Sequence, residues 1–319
     1  MNIATEARRT RRQSVFLATL GVLCVCVANR PIDGQQPTLA ELKQVVARDP
    51  RSGAAHLALG QAYLASGSID LVSEAKAELQ QALDLDSGLI WARFYLAKIY
   101  LDLGRADKAR AELERAEATR PNVPHILSLL GEACRRLGEP ERALELNQEA
   151  LEVDASMTPA YYHRALAYLD LKKPGLAAQE LERAVQSQYV IPEMFVTLGA
   201  IYSEKGDLDR AGALFSRAIA LDASRPEGHL KLAGVLRRQG AYERALAELK
   251  RALPEGKRFL DTPYYQQLQA DVAFETGQVY QDQGKMDQAR QAFSRALEID
   301  PNHAGAKRST RGLKPTPAR

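Results

Sequence analysis

PEMFVTLGAIYSEKGDLDRAGALFSRAIALDASR, residues 192–225, decides the fold. Leu198, Gly199 and Tyr202 precede Gly206, and Ala211, Phe215 and Ala218 follow it. The spacing puts these residues on one face of two successive helical periods, separated by Gly206-Asp207. A shift of 34 residues toward the amino terminus lands on Arg164, Ala165, Tyr168, Lys172, Ala177, Leu181 and Ala184. The same shift forward lands on Leu232, Ala233, Leu236, Gly240, Ala245, Leu249 and Ala252. One helix-turn-helix unit is repeated, so the length of the chain counts repeats and not globular domains.

Five repeats run in strict register, over 90–123, 124–157, 158–191, 192–225 and 226–253. Gly104, Gly138, Gly206 and Gly240 mark the turn inside four of them, where glycine takes a positive φ without strain. Lys172 holds that place in the fifth. Pro124, Pro192 and Pro226 open first helices, and Pro140 and Pro174 open second helices, where a missing N–H costs nothing. Ala109, Ala143, Ala177, Ala211 and Ala245 form one row, and Ala116, Ala150, Ala184, Ala218 and Ala252 another. Small residues at two fixed places let paired helices approach closely, and Leu113, Leu181, Phe215 and Leu249 fill the space between. Asn147 interrupts that last row.

A further repeat precedes these over 53–89, with Gly60, Tyr63 and Gly67. Its second helix starts late, because Ser68 to Val72 lengthens the turn. A last repeat covers 270–303, with Gly277, Tyr280, Gly284, Ala289, Phe293 and Ala296. Between them 254–269 is an insertion: Leu253-Pro254-Glu255-Gly256 reads as a stop, and Thr262-Pro263 starts an extended first helix. Residues 29–52 hold a polar linker and one lone packing helix, announced by the capping box of Thr38 and Glu41. Residues 304–319 are basic and Pro-containing and are expected to form a disordered tail.

A 34-residue unit with Leu-Gly-x-x-Tyr, then Gly, Ala, an aromatic residue or Leu, Ala and Asp-Pro resembles the tetratricopeptide repeat, from about Gly53 to His303. The resemblance implies an all-α, right-handed α-solenoid whose first helices line a concave groove. It also implies a non-catalytic role, holding a protein or peptide segment in that groove. By the family pattern places 2, 5, 6, 9, 12 and 13 of each repeat face inward. They include Trp91, Phe94, Tyr95, Lys98, Leu101 and Asp102 in the second repeat. His125, Leu129, Glu132, Arg135 and Arg136 follow in the third, and Tyr162, His163, Leu166 and Asp170 in the fourth. Trp91, Phe94, Tyr95, Lys98, Arg135, Tyr162 and His163 are the candidate groove residues, since aromatic rings and Arg anchor interfaces. The alternative is that Trp91 and Phe94 pack into the seam with the first repeat. No three successive repeats carry the Lys, Asn and Arg set of members that grip a terminal carboxylate. The sixth place does not hold the Asn ladder of members attached to sugar transferases.

The amino terminus differs from the rest. Arg8, Arg9, Arg11 and Arg12 precede an uncharged run from Val15 to Ala28, which suits a secretory signal over residues 1–28, with Cys26-Val27-Ala28 as a cleavage site. The chain is therefore expected to be exported, periplasmic or secreted; an uncleaved segment 15–28 would tether it to a membrane. The whole chain has 43 basic and 40 acidic residues. Without residues 1–28 the counts are equal, so no basic surface for nucleic acid is expected. Cys134 alone remains of the three cysteines, at a core place, which leaves no intramolecular disulfide. His-Glu-x-x-His, Cys-x-x-Cys, Gly-x-Ser-x-Gly and phosphate-loop patterns are absent from the sequence. His56 and His229 fall on a core place and read as packed histidines. Glu112 with Arg115 and Arg244 with Glu248 read as exposed local pairs. The expected function is a non-catalytic scaffold without cofactor or small-molecule substrate. A self-associating envelope component, pairing through the long helix Thr262–Gly284, is the alternative.

Overall fold

The structure, a computed structural model, describes residues 37–253 and 263–312. Residues 1–36, with the expected signal and most of the linker, residues 254–262 of the insertion and residues 313–319 lie outside the described residues. Among the described residues there are sixteen α-helices and no strand. The chain divides after Ser187 into two compact blocks.

In the amino-terminal block α1 (Leu39–Arg48) precedes four helix pairs. These are α2 (Gly53–Ala65) with α3 (Val72–Leu85), α4 (Ile90–Asp102) with α5 (Ala106–Thr119), α6 (Pro124–Arg136) with α7 (Pro140–Val153), and α8 (Thr158–Asp170) with α9 (Pro174–Ala184). A 3₁₀ turn, Ile69–Leu71, lies in the lengthened loop before α3. Within each pair the helices pack on one another, and each first helix also meets the first helix of the next repeat, so α2, α4, α6 and α8 form one layer. The carboxy-terminal block repeats the plan. It pairs α10 (Pro192–Glu204) with α11 (Leu208–Leu221), α12 (Pro226–Arg238) with α13 (Tyr242–Arg251), and α14 (Pro263–Asp282) with α15 (Met286–Ile299). Its last helix, α16 (Ala304–Gly312), packs on α15.

The two alanine rows are the floor of the core: Ala109, Ala116, Ala143, Ala150, Ala177, Ala184, Ala211 and Ala245 are buried. Close approach depends on the glycine at the eighth place. A Cβ on Gly199 would lie 2.7 Å from the Phe215 ring, so this ring fits only above glycine. Gly131 faces Asn147 in the same way. Asn147 is fully buried and its amide is spent: Nδ2 donates to Ala143 O at 2.8 Å, and Oδ1 accepts from Ser128 Oγ at 2.8 Å. The break in the Leu/Phe row is therefore a polar pair between α7 and α6.

The first helices of the second to seventh repeats end in Schellman turns. In the second repeat Arg105 N–H donates to Tyr100 O at 2.7 Å and Gly104 N–H to Leu101 O at 2.9 Å. Lys172 makes the same turn at φ +57° without glycine, with Lys173 N–H on Tyr168 O at 2.8 Å.

Two expectations are corrected, for the tail and for the Arg244–Glu248 pair, and a third gains detail. Residues 304–312, expected in a disordered tail, form α16, because Ala306 buries fully and His303 Nδ1 accepts the Ala306 N–H at 3.1 Å. His56 and His229 are buried, but as hydrogen-bonded groups: Nδ1 meets Glu78 at 2.6 Å and Glu248 at 2.7 Å, and Nε2 meets Pro50 O and Ala223 O. Arg93 fills the same fourth place of its repeat and grips Glu112 at 2.7 Å and Ser87 O at 3.2 Å. Glu248 is thus held by His229 and by Arg251, not by Arg244, since the fourth place of the first helix reaches it across the pair.

Candidate functional site

The layer of first helices in the amino-terminal block brings together the inward places of the second, third and fourth repeats. Trp91 and Phe94 meet edge to face at 5.4 Å, Phe94 and Tyr95 at 5.3 Å, and Trp91 meets His125 of the next repeat at 5.8 Å. Trp91 and Phe94 are half-buried and pack against the cores of both the second and the first repeats, so the seam reading holds for their inner edges. Tyr95 and Lys98 are 5% and 7% exposed. They offer a ligand almost no surface, a correction to their place among groove residues. Tyr95 is drawn into the first-repeat core, and the aliphatic stem of a lysine packs where its charged tip finds a partner. Tyr162 and His163 are half-buried, their rings 6.0 Å apart.

Arg135 is not an open anchor. Its Nε and Nη2 donate to Glu132 at 2.7 and 3.0 Å, and Nη1 donates to Asp170 at 2.7 Å. Arg136 Nε donates to Glu132 at 2.5 Å, and its Nη1 donates to Leu101 O at 2.6 Å. Leu101 O closes the Schellman turn of α4, so Arg136 adds a cation to the negative end of that helix. Glu132, 4% exposed, sits between the two guanidinium groups. Burial pushes its carboxyl up, but the hydrogen bond from Arg135 and the charge of Arg136 outweigh it and hold it at about 2.

A second chain of donors runs through this cluster. Ser128 Oγ–H donates to Asn147, so His163 Nδ1–H must be the donor toward Ser128 Oγ at 2.9 Å and Ser128 O at 3.1 Å. Burial pushes the His163 imidazole down, which keeps it neutral with Nε2 bare. Asp102, at the end of α4, is the odd member. Its Oδ2 is buried and has no hydrogen-bond partner. Burial raises its carboxyl to about 7; Lys98 and Arg136 pull it down, and Glu132 pushes it up.

The carboxy-terminal block carries part of the same design. Arg237 Nη1 donates to Asp282 at 2.5 Å, and Arg238 Nη1 donates to Ser203 O at 2.8 Å. Burial raises the Glu275 carboxyl there, against the pull of Arg237 and Lys231. At the second place, where the amino-terminal block has Trp91 and His125, this block holds Glu193, Glu227 and Asp271; its rings meet instead around Phe274, 5.8 Å from Phe293 and 4.9 Å from His303. The extra turns of α14 bury Tyr265 and Leu268 in their own block's core, against Leu249 and Ala252.

Sequence reasoning missed Asp102, Glu132 and Asp170 as a set. The signal was present: an Arg at place 12 followed 35 residues later by an acid at place 13. Cys134 is buried, and burial raises its thiol, as befits a packed residue. Among the described residues no cluster of His, Cys, Asp and Glu could hold a metal, and no helix is long and apolar enough to cross a membrane.

Models of the tetratricopeptide repeat match residues 39–89, 72–133, 126–158, 162–226, 202–272 and 270–303. Cellulose synthase operon protein C of Xanthomonas axonopodis pv. citri (strain 306) is 27% identical over 257 residues, 75% of this chain and 17% of that protein. The DnaJ homolog subfamily C member 7 homolog of Schizosaccharomyces pombe is 24% identical, over 72% of this chain and 46% of its own. The chain thus spans less than half the length of these relatives. Among solved structures, the Cut9–Hcn1 complex of the APC/C superposes with a TM-score of 0.66 at 17% identity, covering 87% of this chain and 52% of that one. PilF of Pseudomonas aeruginosa gives 0.55 at 20% identity, covering 71% and 98%. YrrB, described as a repeat protein with an unusual peptide-binding site, gives 0.50 at 21% identity, covering 62% and 97%. At these identities the likeness concerns the fold alone. The series of matches from residue 39 to 303, the helix pairs and their glycine and alanine contacts agree: the chain belongs to the tetratricopeptide repeat family.

Proposed function

We propose that this chain is a non-catalytic scaffold that holds a segment of another protein against the first helices of its amino-terminal block. The observation that carries this reading is the set of half-buried rings, Trp91, Phe94, His125 and Tyr162, on three successive first helices. Aromatic residues in a preformed, rigid layer supply contact area at low entropic cost. α6 is fixed against α8 by the Arg135–Asp170 ion pair and against α4 by the hydrogen bond from Arg136 to Leu101 O. The peptide-binding site named for YrrB is in keeping with this use of the fold. Tyr162→Ala and Trp91→Ala, made separately, should weaken capture of a partner segment while leaving the helical circular dichroism signal intact. Unchanged capture by both variants contradicts the reading.

Export belongs to the same proposal and rests on the sequence of residues 1–28. Amino-terminal sequencing of the protein recovered outside the cytoplasm should begin close to Asn29; recovery of the intact chain from the cytoplasm alone contradicts it. Self-association through the extended helix has less support, because the apolar residues of its extra turns are already used inside the block.

A further inference from the structure

At two of the six junctions between repeats, place 12 and place 13 form a rung. Arg135 reaches Asp170 at 2.7 Å, and Arg237 reaches Asp282 at 2.5 Å. In each case a guanidinium from one first helix meets the terminal carboxylate of the next. Asp102 holds place 13 of the second repeat. The preceding place 12 is Leu64, a core residue 1% exposed, so this rung has its acid and lacks its arginine. Arg136 does not substitute, because its donors go to Glu132 and to Leu101 O. Asp102 is left with a buried Oδ2 that no hydrogen bond from a described residue reaches. An unmatched carboxylate oxygen is costly, and the Asp102 side chain is itself only half-buried, so a group from outside the chain can approach its carboxylate over the exposed edge.

We propose that the segment bound on the amino-terminal block places an arginine or lysine side chain on Asp102, completing the rung that Leu64 leaves open. This rests on the groove reading above and names the chemistry of its ligand. The occupant is a basic, extended peptide. A guanidinium fits best, because it is the group that Arg135 and Arg237 place at the same position. Trp91 stands on the same side of α4, 11 residues away, which is about 16 Å along a helix. That distance is spanned by about five residues of extended chain, so an apolar residue about five positions from the basic one would meet the ring. Burial raises this carboxyl to about 7, so it carries its full charge only above neutrality. Lys98, Arg136 and Glu132 are the charged neighbours that set it. Ligand affinity therefore falls as pH drops below neutrality and Asp102 keeps its proton.

The test is a phage-displayed random dodecapeptide library, selected in parallel on the full chain, on Asp102→Asn and on Tyr162→Ala. Clones from the unaltered chain should be enriched in Arg or Lys with an apolar residue about five positions away. A synthetic clone peptide, read by fluorescence anisotropy, should bind Asp102→Asn about tenfold more weakly. Replacing its basic residue by norleucine should cost the same on the unaltered chain and nothing more on Asp102→Asn. Clones that depend on Tyr162 but show no basic enrichment, or additive losses from the two changes, overturn the cation while leaving the groove reading in place. Clones indifferent to Tyr162→Ala, or no selected clone at all, overturn both.

Discussion

Asp102 and Asp170 end equivalent helices two repeats apart, and they live differently. Asp170 is 43% exposed and takes the guanidinium of Arg135. Asp102 has no arginine before it, keeps a buried oxygen without a partner, and titrates near neutrality. One substitution at place 12, Leu64 for Arg, separates a structural ion pair from a reactive vacancy in the same backbone. The repeat plan makes the comparison direct along the first helices, although the turn after Leu64 is longer than the turn after Arg135.

The largest effect should come from the group both sides depend on. Glu132→Ala leaves Arg135 and Arg136 without the carboxylate between them, and should cost about 3–5 kcal/mol by urea denaturation, with the fourth repeat loosening first. Loss of less than 1 kcal/mol would mean that the two arginines are satisfied without it. Asp102→Asn should act in the opposite direction. The folded chain keeps a proton on Asp102 up to about 7, whereas an unfolded aspartate releases it near 4, so the folded state binds more protons between these values. Stability accordingly falls as pH rises through that window, and the asparagine variant should be more stable by on the order of 4 kcal/mol above pH 7 and unchanged below about pH 4. A variant less stable than the parent at pH 8 would show that Asp102 is paired after all.

Asp170→Asn should lose about 0.5–1 kcal/mol, as expected for a largely exposed pair. Its sign, opposite to that of Asp102→Asn, is the sharpest internal control on the comparison. The smallest change is expected from His56→Arg, within about 0.5 kcal/mol of the parent, because Arg93 already makes the same two contacts at the same place of the next repeat. Collapse of that variant would show that the fourth place needs an imidazole and not simply a donor to Glu78.

The repeat period and the close helix pairs were legible because they rest on local rules: glycine at a positive φ, proline at a helix start, alanine at each close approach. Gly199 under Phe215 shows how directly those rules read out. What could not be read was pairing across repeats. The sequence shows Glu248 beside Arg244 on one helix, while the structure gives it to His229, 19 residues back, because the fourth place of a first helix faces its partner helix. Asn147 interrupts the row of apolar residues in the sequence, and its partners, Ser128 Oγ and Ala143 O, show only in the structure. Tyr95 and Lys98 were placed on the inner surface by pattern, but burial depends on the bulk of neighbours, which a place number does not carry. Helix α16 was hidden by its basic composition; its apolar contact is the single buried residue Ala306, too little to show as periodicity.

The claim at the centre of this account is that the layer of α4, α6 and α8 is the binding surface. Amide hydrogen exchange of the full chain, followed by mass spectrometry with and without a saturating basic dodecapeptide, addresses it most directly. The account predicts slowed exchange in residues 90–102, 124–136 and 158–170, with 106–119 and 140–153 unchanged. Protection confined to the second helices, or to the carboxy-terminal block, would contradict it.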